Sequence, residues 1–274
     1  MKRKSNTFTA GRLEFTVDPK TAAVSSIITD GKELLSTPLT ISLFRPLTEN
    51  DASWGAQGEK WLEAGLDSLV QECVSSRFKN NVYTADVRLV GKNGQNVGSA
   101  QLSYSVNREG GLVVACDFVP DTAVVKTLPR VGLSYRTPSA LASNVTYYGR
   151  EGETYADRNT AGRIGRHATT PERDFHHYIV PQTTGNHTDV REVVFNDGLL
   201  TVTSERPFQF GATPYSDSNV QAAAHIKDLI DDGMVTVHLD AAQTGVGTAT
   251  CGPDVLSQYR LPIEPYHFVF ELKP

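Results

Sequence analysis

Apolar and polar residues alternate along most of this chain, and that period of two constrains the fold more than any other feature. Leu13, Phe15 and Val17 alternate with Arg12, Glu14 and Thr16. Successive side chains of a strand point to opposite faces, so the pattern reads as a strand buried on one side and wet on the other. Further strands are expected at 24–29, 39–44, 69–78, 82–90, 100–106, 112–119, 131–136, 146–149, 190–195, 199–204, 208–212, 234–239 and 266–272. Asp30-Gly31 gives a hairpin signal after 24–29, because glycine tolerates positive φ. Turns at 92–94 and 108–111 separate later strands. Many short strands with polar turns predict an all-β fold built as a sandwich. Helix signals are few. Residues 59–69 carry Trp61, Leu62 and Leu66, and residues 216–229 follow a cap from Ser216 or Asp217. No repeat, low-complexity tract or linker interrupts the chain, so residues 1–274 are expected to form one domain.

With 39% hydrophobic and 21% charged residues, the chain has the balance of a folded globular protein. Its net charge is -5, and the one basic cluster, Lys2, Arg3 and Lys4, reads as a solvated terminus. Nucleic-acid phosphates need a basic field, so no nucleic-acid partner is expected. No apolar run approaches the ~18 residues of a membrane helix, and the start lacks the apolar stretch of a signal peptide. A membrane partner or a targeting segment is therefore not expected. Cys73, Cys116 and Cys251 are widely spaced and form no CxxC, which argues against a disulfide framework or a zinc site. Phosphate loops, nucleophile elbows, HExxH and EF-hand patterns are missing from the sequence, and no cofactor is expected. In a strand the adjacent His176 and His177 point to opposite faces rather than to a shared metal.

Two stretches carry polar chemistry. Residues 146–158 hold Glu151 and Glu153, which would share a strand face, and glycosidases work with paired carboxylates. The same stretch also reads as an ion-pair network of Arg150, Glu153, Asp157 and Arg158 that orders a loop. The segment 150–181 is long and polar, and long loops on a sandwich tend to be functional. In residues 45–51, Arg45, Asn50 and Asp51 supply groups that bond hydroxyls. Trp54 follows and offers a ring face to a sugar. Alternatively Trp54 and Trp61, seven apart, form a core pair on one helical face.

At these motifs the chain resembles a family. TYYGREGETYADR at 146–158 is similar to W-Y-G-x-G-P-x-E-N-Y-x-D-R of the C-terminal domain of glycoside hydrolase family 2 β-galactosidases. RPLTEND at 45–51 resembles R-A-P-T-D-N-D, and LPRVG at 128–132 resembles L-P-R-I-G. PQTTGNHTDVR at 181–191 resembles P-Q-E-N-G-N-R-T-D-V-R. TPYS at 213–216, with Ala224-His225 and Asp228-Leu229 beyond it, resembles S-P-Y-S followed by A-x-H-x-x-x-L. GVGTATCGPDVLSQYRL at 245–261 resembles G-x-G-G-D-N-S-W-G-P-x-x-x-x-x-Y-R-L. Six matches in order span nearly the whole chain.

The resemblance implies a large antiparallel β-supersandwich of the galactose mutarotase kind. It implies a last domain or small subunit that lines one side of the active-site cleft, with a β-galactoside and the remaining domains or large subunit as partners. The catalytic glutamates would lie in a separate (β/α)8 barrel, which 274 mainly β residues cannot also hold. The parent would be cytoplasmic or periplasmic. Candidate carbohydrate contacts are Arg45, Asn50, Asp51, Trp54, Glu153, Tyr155, Arg158 and Cys251, with Glu153, Tyr155 and Arg158 also ordering the loop. Three departures stand out. RPLTEND carries Leu47 and Glu49 where the family has other residues. Arg150-Glu151-Gly152 replaces R-G-P, and Cys251 replaces a tryptophan that serves some members as a sugar platform. The alternatives are an autonomous aldose 1-epimerase, with His225 and Glu153 as acid and base, and a carbohydrate-binding module.

Overall fold

A computed structural model describes residues 1–53, 56–247 and 254–274. Seventeen strands carry the fold among these residues. The first five are β1 (Lys2–Lys4), β2 (Thr7–Ala10), β3 (Leu13–Val17), β4 (Val24–Thr29) and β5 (Lys32–Glu33). They form one antiparallel sheet in chain order. The β4–β5 turn uses Asp30 at φ 49° and Gly31 at φ 77°, the paired left-handed residues that the Asp-Gly signal predicts.

The other strands join a second sheet. They are β6 (Thr40–Ser42), β7 (Val70–Lys79), β8 (Val82–Val90), β9 (Asn96–Val106), β10 (Leu112–Pro120), β11 (Arg130–Pro138), β12 (Val145–Arg150), β13 (Ile164–Thr169), β14 (Asn186–Phe195), β15 (Leu200–Thr213), β16 (Met234–Gln243) and β17 (Tyr266–Lys273). The order is β13-β12-β14-β15-β17-β10-β9-β8-β7, with β16, β11 and β6 branching off β15. The fork arises within one strand. β14 runs along one side of β15. On the other side β17 pairs with Thr201 to Ser204, and β16 then pairs with Gln209 to Thr213.

The expected large antiparallel β architecture is thus the observed fold. One apolar core joins both sheets and includes Phe8, Phe15, Phe118, Phe195, Phe208, Phe210 and Phe270. At roughly 25 cal/mol per Å² of apolar surface removed from water, such side chains supply most of the favourable free energy. The first sheet is pinned onto the second. Tyr104 Oη donates to Ala22 O at 2.7 Å, and Phe8 meets the edge of Tyr83 at 5.7 Å.

Several expectations need correction. Helices are few, as expected, and the described residues hold four short ones: α1 (Glu49–Ala52), α2 (Gln57–Glu63), α3 (Pro171–Asp174) and α4 (Asp217–Ala222). The 59–69 helix stops early because Gly65 takes φ 70°, and a single 3-10 turn, Leu66–Ser68, follows. α4 starts where expected, with Ser216 Oγ accepting from Asn219 N at 3.2 Å, but it ends at Ala222. The strands expected at 199–204 and 208–212 are one strand, β15, which starts at Leu200. The polar loop 150–181 contains β13 and α3. Lys2 to Lys4 form the exposed strand β1. Glu151 and Glu153 do not share a strand face, since β12 ends at Arg150 and Gly152 turns the chain at φ 72°. Among the described residues no helix is long and apolar enough to cross a membrane.

Candidate functional site

The site grows from a buried ion pair. The motif at 45–51 places Thr48 as the N-cap of α1. Thr48 Oγ1 accepts from Asp51 N at 3.1 Å, and Asp51 Oδ2 accepts from Thr48 N at 3.0 Å, a reciprocal capping box. The same carboxylate receives Arg45, whose Nη2 lies 2.9 and 3.0 Å from its two oxygens. Trp61 packs 5.5 Å from the guanidinium. The remaining donors of Arg45 reach the end of β16 and the segment just beyond it. Nη1 donates to Gln243 Oε1 at 3.0 Å and Thr244 O at 2.8 Å, and Nη2 donates to Gly245 O at 2.8 Å.

Residues 244–247 are gripped from the other side as well. Asp157 accepts from Val246 N at 3.1 Å and Gly247 N at 2.7 Å, and Arg158 Nε donates to Gly247 O at 3.0 Å. Asn50 Nδ2 donates to Val246 O at 2.8 Å. A Cβ on Gly245 would fall 2.7 Å from both Asp157 Cγ and Val255 Cγ2, so the strap tolerates no side chain there.

A third loop closes the far wall. Glu153 Oε1 accepts from Tyr155 Oη at 2.9 Å and from Gly185 N at 3.0 Å. Burial raises the Tyr155 hydroxyl well above its ordinary value, with the Glu153 charge adding to it, so it stays a donor. His187 sits beneath, with Nδ1 2.7 Å from Gly152 O and Nε2 2.8 Å from Asp174 Oδ2. One buried imidazole thereby ties the 151–153 turn to α3.

Between these walls lies a cleft of about 240 Å³. Its lining includes Asn50, Glu153, Tyr155 and Arg158, four of the residues singled out in the sequence. It also includes Glu49, Tyr178, Gln182 and Thr183, which were not. Gln182 and Thr183 lie inside the motif at 181–191, so the signal for them was in hand. Arg45 and Asp51 are brought to the site but lie under its floor, buried and committed to each other rather than open to a ligand. His225 stands apart from this lining, 62% exposed on the turn after α4. Trp54 and Cys251 fall outside the described residues. Behind Gln182 and Thr183, a second cavity of about 20 Å³ is lined by Arg130, Asp217 and His238 among others. Asp240 pairs with Arg130 at 3.3 Å there, and His238 Nε2 lies 3.1 Å from Asp217 Oδ1.

The family described as "Beta galactosidase small chain" matches residues 9–272. A β-galactosidase from Actinobacillus pleuropneumoniae is 24% identical over 96% of this chain and 26% of its own length. One from Bifidobacterium adolescentis is 30% identical over 82% of this chain and 22% of its own length. The chain thus spans about a quarter of the curated relatives it matches. Among solved structures, a galactose 1-epimerase from Lactobacillus acidophilus superposes with a TM-score of 0.54 at 10% identity, covering 100% of this chain and 96% of that one. An aldose epimerase homologue from C. elegans gives 0.51 at 12% identity, covering 95% of each. At such identity these likenesses show the fold alone.

Proposed function

The chain belongs to the β-galactosidase small-chain family, and from that premise we propose that it forms one wall of a carbohydrate cleft in a β-galactosidase whose catalytic carboxylates lie on another part of the enzyme. The observation that carries this reading is the polar cleft between residues 45–51, 153–158 and 178–183. It is smaller than the roughly 300–1,000 Å³ of drug-sized sites, a size suited to one sugar ring. Its polar groups suit hydroxyls, which both donate and accept. Gln182 Oε1 already accepts from Glu49 N at 3.0 Å, which aims its amide N–H groups elsewhere. Tyr178 supplies an aromatic face for the sugar's C–H side. Glu153 serves to hold the wall, since one oxygen is shared by Tyr155 and Gly185. Cys251 stands where the resemblance puts a tryptophan, so Tyr178 is the ring proposed to do that work here.

Glycoside hydrolysis needs two carboxyl groups at a set separation across the scissile bond, and on this reading the chain alone leaves a chromogenic galactoside at the rate of buffer. Mixed with the large portion of the enzyme, it restores hydrolysis. Gln182→Ala and Glu49→Ala then raise KM about tenfold, the loss of one good hydrogen bond to each, while kcat falls less. Hydrolysis by the purified chain, or a large portion fully active without it, rules the reading out. An independent epimerase has only the shared fold in its favour.

A further inference from the structure

Residues 176–180, His-His-Tyr-Ile-Val, are five consecutive exposed positions without a carboxylate, lysine or arginine among them. Ile179 is 80% exposed, the most open large apolar side chain among the described residues, with Val180 at 46% and Tyr178 at 38% beside it. Single exposed apolar side chains are ordinary on a protein surface, but a consecutive run of them marks a binding surface or a liability. Val74, 70% exposed on the edge strand β7, is the ordinary case: neither neighbour in sequence, Cys73 or Ser75, is an exposed apolar residue.

The run is held in place. His176 N donates to Thr184 Oγ1 at 3.2 Å, and Tyr178 N donates to His176 O at 3.0 Å. Phe175 is buried against Tyr215, ring centroids 4.9 Å apart. After the run, Thr183 Oγ1 donates to Pro46 O at 2.6 Å. A pinned apolar loop has little conformational freedom left to lose on binding, which favours association. Its place matters as much as its composition. Tyr178 lines the cleft, and the next two residues stand open to solvent at the lip.

We infer that the Tyr178-Ile179-Val180 lip is the surface on which the remaining portion of the β-galactosidase docks, so that the docked portion forms the missing wall of the cleft. The inference rests on the small-chain reading above. The partner is specified by two observations. The relatives that this chain matches are about four times as long as the matched stretch, so most of such an enzyme must pack against this portion somewhere. The lip also adjoins the polar cleft lined by residues of several of the family's motifs, where a catalytic portion must come to reach a bound sugar. A partner surface that is apolar and uncharged opposite Ile179 fits this chemistry, since a charge there would be desolvated without a counter-charge.

The test titrates the 274-residue chain with the large portion from the same organism and follows association by sedimentation. Wild type, the double variant Ile179→Glu with Val180→Glu, and the distant control Val74→Glu are compared. Placing two carboxylates in a dry contact is expected to weaken association by roughly 100-fold or more, while the control stays within threefold of wild type. Unchanged association of the double variant overturns the inference and leaves the small-chain reading standing. If wild type itself does not associate, both fall together. Hydrogen exchange on the wild-type complex needs no variant: residues 176–180 are expected to gain protection, and unaltered exchange there overturns the inference as well.

Discussion

Arg45 and Asp51 face each other as a bidentate pair with side-chain exposures of 0% and 4%, six residues apart in sequence. Each also anchors something else: Asp51 caps α1, and Arg45 holds three acceptors at the end of β16 and just beyond it. Removing one member leaves an uncompensated buried charge, which costs about 3–5 kcal/mol. Arg45→Met and Asp51→Asn should each lower stability by that order in urea unfolding. The double variant should cost clearly less than the two losses added together. Strict additivity would show that the two groups do not stabilise one another.

Asp240 and Asp217 shift in opposite directions and predict opposite pH behaviour. Burial raises the Asp240 carboxyl above its ordinary 3.8, more than Arg130 and His238 pull it down. Its contribution to stability is therefore present in acid and is lost as pH rises through that raised value. For Asp217, burial also pushes upward, but His238, Arg130 and Arg136 outweigh it and hold the carboxyl below 3.8. Its contribution is present above 3.8 and is lost as pH falls through the depressed value. Relative to wild type, Asp240→Asn should therefore gain ground from pH 4 to pH 7, and Asp217→Asn should gain ground as pH drops below 4. Urea midpoints across that range decide it. A gap that stays constant for Asp240→Asn counts against the assignment.

Gly247 adopts φ 86°, and a Cβ there would lie 2.6 Å from Asn50 Nδ2. Gly247→Ala should cost about 1–2 kcal/mol from the left-handed backbone alone. It should also push the Asn50 amide off Val246 O. The cleft wall would then loosen, so sugar affinity should fall further than in Asn50→Ala. Equal stability of Gly247→Ala and wild type in thermal melts would contradict the strap geometry.

Cys73 and Cys116 should label in a fixed order. Cys116 lies in the core of β10, and burial pushes its thiol far above the ordinary 9.0. Cys73 is partly exposed on β7, and burial raises its thiol as well. The thiolate is the reactive form, so a thiol reagent at pH 8 should modify Cys73 in the native protein. Cys116 should react only at the rate at which the fold opens. Mass spectrometry of partially labelled protein reads the order directly, and early labelling of Cys116 would refute it.

The strands that could be read from sequence were those with one face buried. The bounds expected at 24–29 and 82–90 match β4 and β8, and the alternation through Leu13, Phe15 and Val17 falls on β3. β1 and β13 were missed because neither buries a face: Lys2 to Lys4 are all exposed, and Ile164–Thr169 has no buried residue. β15 was read as two strands because Glu205-Arg206-Pro207 looks like a turn, yet β14 pairs with the chain on both sides of that interval, with a register shift at it. In the cleft, the polar residue types were legible but their orientation was not. Nothing in Arg45 or Asp51 says that they turn inward, since that depends on Gln243 and Thr244, about 200 positions away. Gln182 lay within a quoted motif, but that its side chain turns to Glu49 N, 133 positions away, is set by the tertiary fold.

β17 is the last strand along the sequence, yet it sits between β15 and β10 in the middle of the large sheet. As the polypeptide leaves the ribosome, β10 emerges roughly 150 residues before the strand that will cover its open side. Until residues 266–273 arrive, β10 and β15 each present an unpaired edge, and such edges invite pairing with a neighbouring chain. Closure of the sheet therefore waits for a contact of very long range, the kind whose loop-closure entropy slows folding most. A nascent chain stalled before Tyr266 would carry two sticky edges and no means of closing them, a natural substrate for a chaperone.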